Sequence, residues 1–206
     1  MKPIILIAGV PQSYTSIVSK FLLDNGAYQK DEDLMGEPSE VLNYERYESK
    51  TLEEFVRRRR RFQKYDLTEF FKSLPEDEVV VLKLPFILQF INELDQLTNR
   101  EIRLVYAQRN PQDTILSSMD KSKKSNPMKQ KYGFIYYFER IVWYYNFIVD
   151  CKFPKYPLIT EKLLKGDKYT AESLLKFCDL NANNVDYKSI DPSMVRKKKP
   201  SYVKYR

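Results

Sequence analysis

The chain has 206 residues and a net charge of +7, with 43% hydrophobic and 31% charged residues. This length suits one domain with a sizeable core, and no apolar run approaches the roughly 20 residues of a membrane span. The positive charge favours an anionic partner, such as a nucleotide, a nucleic acid, an anionic glycan or a lipid surface, without choosing among them.

Histidine is absent from the chain, which has only two cysteines, Cys151 and Cys178. The missing histidine excludes Ser/His/Asp hydrolysis, histidine-ligated metals and a histidine base. The cysteine spacing fits neither a metal site nor a disulfide scaffold. Because the chain enters its first predicted strand without a signal-peptide pattern, we expect a cytoplasmic protein.

The first predicted element is the apolar run "PIILIAGV", typical of a parallel strand that is buried on both faces. A helix is predicted after it, with Thr15 or Ser16 as the N-cap and Gly26 as the stop signal. Such a strand, turn and helix point backbone amides and the positive helix end at one spot, where an anion is stabilised. A plain turn between strand and helix is the alternative for this segment alone.

The next stretch reads as a polar loop, "DEDLMGEPSEVLNYERY", followed by a helix through "LEEFVRRRRRFQKYDLTEFFKSL". The five arginines at 57–61 must surround most of that helix. They form either a solvated face or a surface for an acidic acceptor or polyanion.

Two further buried strands are predicted at "EVVVLKLP" and "EIRLVYAQR", with an amphipathic helix over "FILQFINELDQLT" between them. The second of these strands runs into "NPQDTILSSMDKS", where Pro111 suits the first position of a helix. Arg109 ends the strand, and Ser117 follows two turns into the helix. Because ligands bind at the carboxyl ends of strands in open α/β sheets, Arg109 is expected at the same rim as the turn at residues 9–16.

The remaining elements are a basic loop at 121–131, a long buried helix over "YGFIYYFERIVWYYNFIVDC", a short strand "YPLIT", a helix over "TAESLLKFCDL" and a basic tail at 195–206. Strands that alternate with helices predict a single α/β domain over residues 1–206, with a short parallel sheet flanked by helices.

Two motifs of this chain resemble those of sulfotransferases that use 3′-phosphoadenosine 5′-phosphosulfate (PAPS), a family with a fold similar to P-loop proteins. The family's 5′-phosphosulfate loop is matched at Pro11, Ser13, Thr15 and Ser16. Its 3′-phosphate motif is matched at Arg109, Asn110, Pro111, Asp113 and Ser117. "VLKLP" resembles the lysine-containing second strand, and "LITEKLLKGDKYTAESLLKFCDL" a region near the family's C-terminus, so the resemblance spans almost the whole chain.

The resemblance implies transfer of a sulfuryl group from PAPS to a hydroxyl or amine, with 3′,5′-adenosine bisphosphate (PAP) as product and without a metal. The donor's 5′-phosphosulfate would lie on the loop, and Arg109 and Ser117 would hold its 3′-phosphate. The implied loop residues are Pro11, Gln12, Ser13, Tyr14, Thr15 and Ser16. The acceptor would be a glycan, a lipid head group or a small metabolite rather than a nucleic acid, and it would face residues 28–65 and 121–131.

The chain departs from the family at three places. Gln12 stands where the loop usually has a lysine or arginine, and Tyr14 replaces a glycine. Lys83 is the nearest substitute for the missing loop cation, although a lysine that extends from a strand end to solvent is the alternative reading. In place of the family's histidine base, Glu40 is the candidate general base, ahead of Glu37 and Glu45.

Two other functions are weighed against this one. A P-loop NTPase is less well matched, because the chain has no Gly-Lys-Ser/Thr at the loop end. A non-catalytic nucleotide-binding or polyanion-binding member of the same fold is the stronger alternative, favoured by Gln12, Tyr14 and the absent histidine.

Overall fold

Four parallel strands form the centre of the molecule, in a computed structural model that describes residues 1–10, 12–30, 48–122 and 133–190. The strands are β1 (Ile4–Gly9), β2 (Val80–Lys83), β3 (Ile102–Gln108) and β4 (Lys155–Ile159), in the order β2-β1-β3-β4. Each neighbouring pair is parallel. The predicted α/β class with a short parallel sheet is therefore confirmed.

Seven α-helices and one 3-10 segment lie between and after these strands within the described residues. The helices are α1 (Thr15–Asp24), α2 (Lys50–Arg59), α3 (Thr68–Lys72), α4 (Pro111–Ser122), α5 (Gly133–Asp150), α6 (Thr160–Leu164) and α7 (Lys168–Phe177). The 3-10 segment runs from Pro85 to Gln96. None of the described helices is long and apolar enough to cross a membrane.

The strands β1 and β2 are buried on both faces, which explains their apolar runs. Alternate residues of β1 point to opposite sides. One side packs with residues of α2, the 3-10 segment and α5, and the other with residues of α1, α6 and α7. The core therefore lies in two layers on either side of one sheet.

The strand order fixes where a ligand site is expected. The strand β2 pairs with one edge of β1. The next strand along the chain, β3, pairs with the other edge of β1. The strand order therefore reverses between β1 and β3, and ligands of open α/β sheets bind outside the carboxyl ends of the strands at such a point. The turns that follow β1 and β3 meet there.

Three predicted elements are corrected by the structure. The single helix expected through the arginine run is two helices, α2 and α3, separated by a turn in which Phe62 has a φ of 59°. The helix predicted after β2 is a 3-10 segment with a kink at Phe90. The aromatic helix α5 is not buried all round, because Phe134, Ile135 and Val149 are more than half exposed.

Several predictions fall outside the described residues. These are the roles of Pro11 in the loop, of Glu37, Glu40 and Glu45 as bases, of the acceptor-facing loops at 31–47 and 123–131, and of the basic tail at 195–206.

Candidate functional site

The turn after β1 is packed tightly against the end of β3. A Cβ atom at Gly9 would lie 2.5 Å from the Ser13 Oγ and 2.7 Å from the carbonyl oxygen of Ala107. Real side chains do not come that close to backbone atoms, so only glycine fits at this position. Gly9 lets the turn fold back over the carboxyl end of β3.

Two residues of this turn, Gln12 and Tyr14, adopt left-handed backbone conformations with φ of 75° and 63°. This conformation is costly for residues other than glycine and is retained only where the surrounding structure holds it. Tyr14, not Thr15 or Ser16, is the N-cap residue of α1, and its side chain accepts no hydrogen bond from the first amides of the helix. The predicted N-cap is thus corrected, while the predicted strand, turn and helix are present.

Ser13 is the residue of this turn whose side chain has an unused hydrogen-bonding group. Its side chain is buried, and its Oγ has no hydrogen-bond partner among the described residues. A buried hydroxyl without a partner costs free energy that a bound acceptor atom would recover. A phosphate or sulfate oxygen is such an acceptor, so the Ser13 hydroxyl suits the anion that the sequence predicts here.

Lys83 lies at the carboxyl end of β2 with its side chain only 2% exposed. Its Nζ donates a hydrogen bond of 2.8 Å to the Oγ of Ser16 in α1 and lies 3.3 Å from the Oε1 of Glu48. The alternative of a lysine extended to solvent is therefore wrong. The Lys83 ammonium therefore lies at the start of α1. It is next to the turn in which Gln12 stands in place of a lysine or arginine.

Glu48 is held next to Lys83 by the backbone. The amide of Ser49 donates to the carbonyl of Lys83, and the Ser49 hydroxyl accepts from the amide of Leu52 as the N-cap of α2. The start of α2 is thus attached to the end of β2. The Glu48 carboxylate partly compensates the buried positive charge.

The turn after β3 is built from local signals. The Asn110 Oδ1 accepts a hydrogen bond of 2.9 Å from the amide of Gln112, and Pro111 occupies the first position of α4. Both features are the preferred chemistry of a helix start. Asp113 is exposed in the first turn of α4, as expected of a residue at a helix start.

Arg109 bridges the two turns. Its guanidinium carbon lies 4.6 Å from the centroid of the Tyr14 ring, and its Nη1 donates a 3.3 Å hydrogen bond to the carbonyl oxygen of Gln12. Its side chain is 15% exposed, and its Nε is 4.0 Å from the Oε1 of Glu161. Because that carboxylate accepts a shorter bond of 2.8 Å from the amide of Asn110, the charge of Arg109 is only weakly paired.

Ser117 is half-buried in α4, and no hydrogen bond joins it to Arg109 among the described contacts. The structure thus brings together Gln12, Tyr14 and Arg109, and separately Ser16 and Lys83. It does not bring Ser117 into contact with either group. Thr15, the remaining loop residue, is buried at the start of α1.

A shallow depression lies beside Arg109, between the carboxyl ends of β1 and β3 and helices α4 and α5. It is lined in part by Val10, Tyr106, Arg109, Thr114, Ile141 and Tyr145. The rings of Tyr106 and Tyr145 are 5.7 Å apart. Burial, and next the neighbouring Tyr145, raise the pKa of Tyr106, so this wall of the depression stays neutral.

Solved structures show which known proteins have this architecture. A sulfotransferase from Alicyclobacillus acidocaldarius matches with a TM-score of 0.53 and 14% identity, over 94% of this chain and 88% of that one. The chain has a sulfotransferase fold. The sulfotransferase STF9 from Mycobacterium avium matches with a TM-score of 0.53 and 11% identity, over 94% of this chain and 67% of that one. No family model matches the chain, and no curated protein matches its sequence.

Sequence reasoning missed three contributors to the site: Gly9, Glu48 and Glu161. Gly9 was detectable as a glycine at the end of a buried strand, and Glu161 as an acid directly after a strand that ends at the same rim. No local signal distinguished Glu48, since only the pairing of the Ser49 amide with the carbonyl of Lys83 places it there.

Proposed function

We propose that the protein is a sulfotransferase that moves a sulfuryl group from PAPS to a hydroxyl or amine acceptor. The contact of Arg109 with Tyr14 and Gln12 supports this best, because it joins the 3′-phosphate motif to the 5′-phosphosulfate loop. The sulfotransferase fold and the buried, unpaired Ser13 hydroxyl agree with it.

The residues present fit such a donor. Ser13 would donate its unsatisfied hydroxyl to the 5′-phosphosulfate, together with amides at the start of α1. Arg109, weakly paired and planar, would make a charge-assisted contact to the 3′-phosphate, with Ser117 as a neutral donor. PAPS would supply an activated sulfuryl group on a phosphate leaving group.

Lys83 takes the role that the loop lysine or arginine has in the family. Its ammonium is buried beside Ser16, where a fixed positive charge stabilises negative charge on the leaving phosphate more strongly than in water. Gln12 contributes at most a neutral hydrogen bond. The proposed general base stays Glu40. Glu48 is the poorer candidate, because its Oε1 is already engaged by the Lys83 ammonium at 3.3 Å.

The test compares two nucleotides that differ by one phosphate. PAP is expected to bind on the order of tenfold to a few hundredfold more tightly than adenosine 5′-phosphate, since hydrogen bonds to charged groups contribute roughly 1.5–3 kcal/mol each. Arg109→Ala should remove most of this preference and leave the affinity for adenosine 5′-phosphate nearly unchanged. Titration calorimetry measures the dissociation constants of PAP and of adenosine 5′-phosphate for the unaltered protein and for Arg109→Ala.

Arg57→Ala is the matched control, because Arg57 is an exposed arginine paired with Glu54 on α2. It should leave the nucleotide preference intact. Equal affinity of the unaltered protein for both nucleotides would contradict the proposal.

A second candidate is a binding-only member of the same fold, favoured by Gln12 at the position of the loop cation. It predicts the same preference for PAP but no sulfuryl transfer to any acceptor. Turnover measured on a broad acceptor panel separates the two functions. The cytoplasmic location expected from the sequence stays a prediction.

A further inference from the structure

Two arginines from distant parts of the chain converge on one aromatic ring at the carboxyl end of β2. The ring is that of Phe86, three residues after Lys83. The guanidinium carbon of Arg60, directly after α2, is 5.4 Å from the ring centroid, and that of Arg140, in α5, is 6.0 Å from it. Both distances are within the range of cation–π contacts.

Neither arginine is neutralised by a carboxylate in the described part of the chain. The Arg60 Nε donates to the Oε1 of Gln89, and the Arg140 Nη1 donates to the hydroxyl of Tyr136, both at 3.2 Å. The preceding members of the arginine run differ, because Arg57 and Arg58 pair with Glu54 and Arg59 pairs with Glu93. Arg60 is thus the member of 57–60 that contacts the ring shared with Arg140 and is not paired with an acid among the described residues.

A buried hydroxyl completes the cluster. Tyr144 is fully buried, its ring centroid is 6.4 Å from that of Phe86, and its hydroxyl lies near the Arg140 guanidinium without a hydrogen bond of full geometry among the described residues. Burial raises the pKa of Tyr144, while Arg140 and then Arg60 act in the opposite direction. The hydroxyl is therefore a protonated donor close to two positive charges.

The cluster lies at the same rim as the donor turn. Ile141 and Tyr145 follow Arg140 and Tyr144 in α5, and they line the depression with Val10 and Arg109. Phe86 follows β2, and Lys83 at the end of that strand reaches Ser16. A molecule held at the arginine pair would therefore be located beside the proposed donor site.

We propose that Arg60, Arg140 and the Tyr144 hydroxyl bind an oxyanion of the acceptor, so that the acceptor is itself anionic. Two guanidinium groups and one hydroxyl offer convergent donors for a carboxylate, phosphate or sulfate, and the bound charge would offset the repulsion between the arginines. The assignment of this anion to an acceptor rests on the proposed sulfotransferase function. The oxyanion site itself rests on the cluster alone.

The test uses inorganic phosphate as the probe, with the full chain saturated with PAP so that Arg109 and the loop are occupied. Calorimetry should detect one phosphate site, and Arg60→Gln and Arg140→Gln should each weaken it at least tenfold. Tyr144→Phe, which keeps the buried ring, should weaken it severalfold. Arg57→Gln should leave it unchanged, and circular dichroism establishes that each variant is folded.

Phosphate binding that persists in both arginine variants would overturn the inference, as would the absence of any phosphate site in the folded protein. Repeating the titration without PAP separates the two proposals. If PAP does not bind, but phosphate binding still requires Arg60 and Arg140, the oxyanion site stands and the sulfotransferase assignment fails.

Benzoate, phenyl phosphate and phenyl sulfate then identify the preferred oxyanion, with benzyl alcohol as the neutral control. At least one of the three should bind at least tenfold more tightly than benzyl alcohol, and Arg140→Gln should remove the difference. Equal binding of all four compounds would contradict an anionic acceptor.

Discussion

The two turns at the rim of the sheet both precede a helix, yet they are stabilised in different ways. The turn after β3 begins α4 with a side-chain cap from Asn110 and with Pro111 in the first position. The turn after β1 has no such cap, and two of its residues, Gln12 and Tyr14, have positive φ. It keeps this conformation through contacts with Arg109 and Gly9, and through Lys83, which reaches Ser16 at the start of α1.

If the turn after β1 binds an anion as proposed, it does so without a cation at position 12 or a glycine at position 14, and residues from neighbouring strands replace both effects. Lys83 at the end of β2 supplies the positive charge, and Arg109, directly after β3, contacts both Gln12 and Tyr14. The turn after β3 depends mainly on its own sequence. The predictions below test how far each turn depends on the rest of the molecule.

The largest effect is expected from Lys83→Met. It removes the buried ammonium beside Ser16, and loss of one fixed transition-state donor costs about 100-fold to 1000-fold in turnover. The measurement is sulfuryl transfer from PAPS to an acceptor or to water. Gln12→Lys in the Lys83→Met protein should restore part of the activity, because it returns a cation to the usual loop position.

Lys72→Met is the control for Lys83→Met, since Lys72 is exposed and pairs with Glu69 on the surface. It should leave turnover unchanged. Full turnover in a folded Lys83→Met protein would show that catalysis at the turn after β1 does not need the positive charge of Lys83.

A smaller effect is expected from Gly9→Ala. The added methyl group would meet the Ser13 Oγ and a backbone carbonyl of β3, and overpacking of this kind costs typically 1–3 kcal/mol. The free energy of unfolding, from urea titration, should fall by about that amount, and PAP binding should weaken because the turn is displaced.

Gly133→Ala is the matched control, because the described atoms nearest to its added methyl group belong to the flexible side chain of Met119. Its stability should change little. If both alanine variants are equally stable, the turn after β1 is not held by close packing against β3.

The smallest effect is expected from Asn110→Ala, which removes the cap of α4. Loss of an N-cap costs about 1 kcal/mol of stability. Asn110→Asp should retain most of the stability because it keeps the capping oxygen. Thermal melting measures the stability of the unaltered protein, Asn110→Ala and Asn110→Asp. A loss in Asn110→Ala as large as that in Gly9→Ala would mean that the turn after β3 also depends on tertiary contacts.

Elements with strong local signals were predicted well. The strands β1, β2 and β3 lie within their predicted segments, β4 starts one residue before its segment, and α4 starts at Pro111 as expected. The break between α2 and α3 was missed because residues 60–67 are good helix formers, whereas the folded chain turns there and places Arg60 over Phe86. The exposure of Phe134 and Ile135 in α5 was missed because composition alone does not show which face a sheet covers.

The sequence alone determined the parallel sheet, the turn-and-helix pairs after β1 and β3, and the presence of Arg109 at the shared rim. These follow from apolar runs, caps and prolines, which act over a few residues. Only the tertiary structure decided that Lys83 is buried against Ser16, that Glu48 balances it, and that Arg60 and Arg140 both contact Phe86. Those contacts join residues that are 26 to 67 positions apart, so they depend on the packing of whole elements, which no local pattern encodes.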